Sequence, residues 1–182
     1  MVYPIHIMSR PGLRQLAHEV PADYPDLEKL VADMFETMQS SEGVGLAAPQ
    51  IGLPIRLFVI DASPFADEKP DLAGFKRVFV NPEILERKGP KAYFNEGCLS
   101  VPGIHEDVLR ETIVRVRYND EHLQPHEEEF DGIPARIIQH EYDHLEGILF
   151  TDRLSPIRKQ LLRTKLNAIQ KGHFKAKYNF LR

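Results

Sequence analysis

GIPARIIQHEYDHL, residues 132–145, is the stretch on which the reading of this chain turns. Ile133, Ile137, Ile138 and Leu145 recur at helical spacing and Gly147 stands where a helix would stop, so the pattern predicts an amphipathic helix. Within it His140 and His144 are four apart and share a face, near enough for both imidazoles to hold one metal ion. Glu141 borders that face and can take a proton from a water activated there. Burial of the helix would leave two imidazoles and a carboxylate in need of compensation, which a metal supplies. Two histidines do not complete a site. The protease pattern HExxHxxGxxH is followed as far as Gly147, but Phe150 occupies the place of the third histidine. The other common protease ending needs a later glutamate, and no Glu follows Glu146. The missing ligand must come from upstream.

Upstream stands the only cysteine, in Glu96-Gly97-Cys98-Leu99-Ser100. On its own Cys98 reads as a small buried hydrophobe. Beside a helix short of one ligand it reads as a thiolate donor for zinc or iron, with Gly97 allowing close backbone approach. Further upstream, Ser41 to Gln50 (SEGVGLAAPQ) lacks the lysine of a phosphate loop. Its small residues can bring backbone against a substrate, and Gln50 could donate to an oxygen that gains charge during reaction.

The rest of the chain reads as α+β: antiparallel or mixed sheets around a central metal-binding helix, flanked by an N-terminal and a C-terminal helix. Leu27, Leu30, Val31, Met34, Phe35 and Met38 predict a helix from about Pro25 to Ser40, with Asp23 as its cap. Arg56–Asp61 and Val78–Val80 read as buried strands, with Ala62–Phe75 a surface loop between them. Thr112–Tyr118 and His126–Phe130 read as a meander turning at Asn119-Asp120. Ser155-Pro156 opens a last helix whose apolar side would be Ile157, Leu161, Leu162, Leu166 and Ile169. With 182 residues, 42% of them apolar, the chain can fill a core and is expected to form one domain over 1–182. Its apolar runs are far too short to span a membrane, no secretory signal is visible, and a lone cysteine allows no internal disulfide. A soluble protein of a reducing compartment, the cytoplasm, is the expectation.

GVGLAAPQ (43–50), EGCLS (96–100) and QHEYDH (139–144), in that order, closely resemble the three signature motifs of bacterial peptide deformylase. The resemblance runs from Pro25 through LSPIRKQL, although the last ten residues match nothing in it. It implies a metal-dependent hydrolase that removes the formyl group from N-formylmethionine of nascent polypeptides and releases formate. It implies Cys98, His140 and His144 as ligands of one divalent metal, Fe(II) in the cell, with Zn, Ni or Co able to occupy the site. Glu141 would act as base and then acid, while Gln50 and the backbone N–H of Leu99 would stabilise the oxyanion. Val44, Gly45 and Gly97 would pair with the extended substrate, and Val44, Phe94, Ile133 and Ile137 would form the methionine slot. Two other readings are weighed against it: an HExxH metallopeptidase, and a ribosome- or RNA-binding protein with a structural metal. A fourth protein ligand among His105, His122 or His126 would favour the last. His6, His18 and His173 read as surface residues.

Charge is uneven along the chain. From Arg153 onward nine Lys or Arg and no acid occur, so the tail from about 155 is strongly basic while the body carries about −13. By the resemblance, the basic C-terminal helix is a candidate for docking on ribosomal RNA. Oligomeric state is not legible.

Overall fold

The computed structural model describes residues 1–182. Strands β1 (Ile5–His6), β2 (Gly45–Ala47), β3 (Leu57–Asp61), β4 (Lys76–Cys98), β5 (Val101–Asn119), β6 (Pro125–Asp131) and β7 (Phe180–Leu181) accompany helices α1 (Leu27–Ser40), α2 (Gly132–Leu145) and α3 (Pro156–Gln170). β2 to β6 form one five-stranded antiparallel sheet in chain order, and β1 pairs with β7 in parallel. The architecture is α+β.

β3 explains how the layers form. All five of its residues are buried, and alternate side chains enter different cores. Phe58 and Ile60 join the cluster containing Ala135, Ile138 and Leu145 of α2, whereas Leu57 and Val59 join the cluster containing Leu30, Met34 and Met38 of α1. β4 repeats the division, with Phe79 on the α2 side and Val78 and Val80 on the α1 side. Phe79 stacks on Phe58 at 4.7 Å between ring centroids and meets Tyr118 at 4.4 Å. The sheet is thus covered on both faces by α1 and α2, and α2 is buried along most of its length, from Pro134 to Leu145 except at Tyr142. A third cluster joins Ile104 and Val108 of β5 to Leu162 and Ile169 of α3.

Several sequence expectations shift. α1 begins at Leu27, and its N-cap is Asp26, in the left-handed region at φ 52°, without a side-chain cap bond. Asp23 does not cap it. The strand read at 78–80 is the start of 23 residues, and that at 112–118 the end of 19. Register shifts between Val80 and Glu83 and between Lys88 and Lys91 absorb Pro82 and Pro90, which otherwise argue against a strand. On α3 only Leu162 and Ile169 are fully buried, while Ile157 and Leu161 are 71% and 67% exposed. That helix rests on the body by one edge, where Arg158 pairs with Glu106. Its opening follows the sequence reading: Ser155 Oγ accepts from the Arg158 N–H at 3.3 Å.

Candidate metal centre

Cys98 ends β4, just before the two-residue turn Leu99-Ser100 that leads into β5. That turn delivers the sulfur to the buried face of α2. Sγ lies 3.3 Å from His144 Nε2, and the donor atoms of Cys98, His140 and His144 all lie within 4.8 Å of one another. His140 Nδ1 faces Glu96 Oε2 at 2.9 Å, which places the ring proton on Nδ1 and leaves Nε2 for the centre. None of the three possible fourth ligands joins the cluster. His122 pairs with Glu28, His126 with Asp120, and His105 lies over Gly97, where a Cβ would meet its ring at 2.6 Å.

A charged network lies behind the three donors. Arg110 grips Glu96 with two hydrogen bonds, 2.7 and 2.9 Å, and donates to Asp143 Oδ2 at 2.8 Å. Arg153 also donates to Asp143, and Arg136 caps the carbonyls of Ala92 and Val108 while reaching Glu96. Burial works against the Glu96 charge, yet hydrogen bonds from His140 and Arg110 outweigh it and hold the carboxyl down at about 2. Glu141 has no such partner. Burial pushes it up to about 7, with Glu96 and Asp143 adding and His140 and Arg110 opposing.

Gly45 lets Glu141 into place. A Cβ on Gly45 would sit 2.3 Å from Glu141 Oε1, 2.7 Å from Cδ and 2.9 Å from Cγ, so only glycine admits the carboxylate there. Gln50 is buried in the short 3₁₀ turn after β2. Its Oε1 accepts from the Ala47 N–H at 2.8 Å, while Nε2 contacts Ser100 Oγ at 3.2 Å and Cys98 Sγ at 3.6 Å.

These residues suit a divalent ion. One thiolate and two imidazoles are a donor set for Zn(II) or Fe(II). Glu141 Oε2 is buried without a hydrogen-bond partner, a deficit of the kind that accompanies an ion site.

A cavity of about 650 Å³ opens over the centre. Val44, Gly45, Gln50, Phe94, Gly97, Leu99 and Ile137 line it, together with Cys98, His140 and Glu141. Ile133 does not; it packs against the α2-side core. Phe65 does line it, so the loop at 62–75 is more than surface. Arg136, His105 and Lys175–Tyr178 also reach the cavity, and no local pattern announced them. Of the histidines read as surface, His18 and His173 are exposed, but His6 is half-buried and its ring covers Gly52.

Three potential metal donors with no fourth protein donor beside them, next to a buried carboxylate, are the residue set expected of a metal-dependent hydrolase. The polypeptide deformylase family matches residues 2–160, and the chain belongs to it; Lys175–Tyr178 lie beyond the matched span. A peptide deformylase of Flavobacterium johnsoniae is 49% identical over 179 residues, covering 94% of this chain and 91% of the relative. One from Christiangramia forsetii is 47% identical over 185 residues, covering 98% and 94%. The crystal structure of a Legionella pneumophila peptide deformylase superposes with a TM-score of 0.81 at 40% identity, over 94% of this chain and 96% of that one. A plant peptide deformylase gives 0.86 at 34% identity, over 97% and 96%. The chain is an enzyme that removes the formyl group from nascent polypeptides.

Proposed function

We propose that residues 1–182 act as one catalytic domain in which Cys98, His140 and His144 hold a single Fe(II) ion, replaceable by Zn, Ni or Co, and Glu141 moves the protons of deformylation. The observation that carries this is the meeting of the three donors within 4.8 Å, with the Glu141 carboxylate entering the same cavity. A divalent ion bound there supplies Lewis acidity, polarising the formyl oxygen and lowering the pKa of water.

The remaining steps belong to the chain. Glu141 accepts a proton from the attacking water and returns it to the amine nitrogen as the C–N bond breaks, so formate and a free N-terminus leave. Gln50 Nε2 and the Leu99 N–H donate to the formyl oxygen as it gains charge; losing such a donor costs about 3–4 kcal/mol. Val44, Gly45 and Gly97 offer backbone groups to an extended peptide. Val44, Phe94 and Ile137 form the methionine slot, with Ile133 supporting it from the core. Formate release from formyl-Met-Ala by metal-replete protein tests the assignment. Glu141→Ala keeps its metal and loses about 10²–10⁴-fold in kcat; wild-type turnover in that variant refutes the role of Glu141.

No helix is long and apolar enough to cross a membrane. A cytoplasmic enzyme meeting nascent chains at the ribosome fits that property and the basic exposed face of α3.

A further inference from the structure

The established reaction concerns the first residue of the peptide, but the cavity is larger than that residue. Formylmethionine has about ten non-hydrogen atoms and fills at most about 300 Å³ at a water-sized share per atom, whereas the cavity holds about 650 Å³. The remaining space belongs to the residues that follow.

Part of the wall comes from the end of the chain. Past α3 the backbone returns over the site and is fastened on both sides of Lys175–Lys177. Before them, Phe174 packs on the α3-side core and meets the Phe180 ring at 4.8 Å. After them, the Tyr178 hydroxyl donates to the Leu99 carbonyl at 2.5 Å, and the Asn179 carbonyl accepts from the Ile5 N–H at 2.8 Å. Phe174, Ala176 and Tyr178 are half-buried, while the alternating Lys175 and Lys177 are exposed on the cavity rim. Leu99 is also where Gly43 abuts, its Cβ position 3.0 Å from Leu99 Cδ1. The tail and the 40–43 loop therefore both converge on Leu99.

Neither lysine forms an ion pair within the chain, in contrast to Arg136, which also reaches the cavity but is committed to Glu96 and to two carbonyls. Of the three carboxylates lining the cavity, Glu96 and Glu141 are buried, and only Glu42 is exposed. Two free cations thus face one free anion on the rim.

We propose that the tail segment Lys175–Tyr178 is the part of the substrate groove that reads the residues after formylmethionine, and that Lys175 and Lys177 make it prefer peptides with acidic side chains there. The inference rests on the deformylase reading of the centre. Exposed pairs are individually weak and screened by salt. Two of them acting together amount to about a three- to tenfold preference in kcat/KM at low salt, carried by KM because the contact is the same in ground and transition states.

The test compares formyl-Met-Ala-Glu-Glu-amide with formyl-Met-Ala-Lys-Lys-amide on metal-replete enzyme, at low and high salt. The ratio is taken within each protein so that differences in folded fraction cancel. Wild type prefers the acidic peptide by about three- to tenfold, a preference that shrinks with salt. Lys175→Glu/Lys177→Glu inverts it, and Lys175→Gln/Lys177→Gln brings it near unity. Equal ratios in all three proteins overturn the proposal while formate release from both peptides leaves the deformylase reading intact. Absence of formate from every formyl-Met peptide with wild type overturns that reading instead.

Discussion

Replacing Gly45 by alanine displaces Glu141 without altering Cys98, His140 or His144. The added Cβ would lie 2.3 Å from Oε1 and 2.9 Å from Cγ, and ordinary contact begins at 3.4 Å, so the carboxylate must retreat by roughly 1 Å. The Gly45 backbone is not in the left-handed region, so alanine adds no backbone strain. The added methyl must be accommodated against a buried side chain, so the thermal midpoint should hold or fall modestly. A misplacement of this size costs on the order of 10²-fold, and it should fall on kcat, since the group displaced acts in the transition state. The assay is formate release from formyl-Met-Ala with metal content measured on the same sample. Wild-type kcat in Gly45→Ala refutes the steric argument. A loss confined to KM would mean that Gly45 serves peptide binding and not the placing of Glu141.

Glu96→Gln leaves His140 and Arg110 without the charge they share, so metal affinity should fall about 10–100-fold. The buried Arg110 loses part of its compensation, and stability should drop by about 3 kcal/mol; unfolding and chelator titrations check both. Formyl-Met-Ala should exceed formyl-Ala-Ala by roughly 30-fold in kcat/KM, equivalent to about 2 kcal/mol for the extra apolar surface, and equal efficiency would remove the slot at Val44, Phe94 and Ile137. Reversing the exposed Lys159, Arg163 and Lys165 of α3 should weaken cosedimentation with ribosomes at low salt. Unchanged binding would remove that helix from the interaction.

What was readable in the chain and what was not have physical reasons. α2 declared itself because its burial is periodic and because two histidines four apart can share an ion. Even the need for an upstream donor followed from Phe150 and from the lack of any Glu after Glu146. The partnership of Cys98 with that helix is a contact across more than forty residues, made by the turn at Leu99-Ser100, and no local pattern encodes it. Much of β4 and β5 carries no strand pattern, because Pro82, Gly89 and Pro90 are residues that disfavour strands and Glu86 to Lys88 are polar. The sheet accommodates them with bulges. α3 misled in the opposite way: Ile157 and Leu161 keep the helical period yet face solvent, since only one edge of that helix meets the body. The tail at 175–178 carries no local pattern because its place on the cavity wall depends on where the chain returns, which Tyr178 and the β1–β7 pairing decide.

X-ray absorption on zinc-loaded protein tests the centre most directly, with metal content measured alongside. One ion per chain should show a single sulfur neighbour at about 2.3 Å and nitrogen or oxygen neighbours at about 2.0–2.2 Å, with the sulfur contribution lost in Cys98→Ser. A spectrum without sulfur, or one unchanged by that substitution, would contradict the assignment of Cys98, His140 and His144 to one metal.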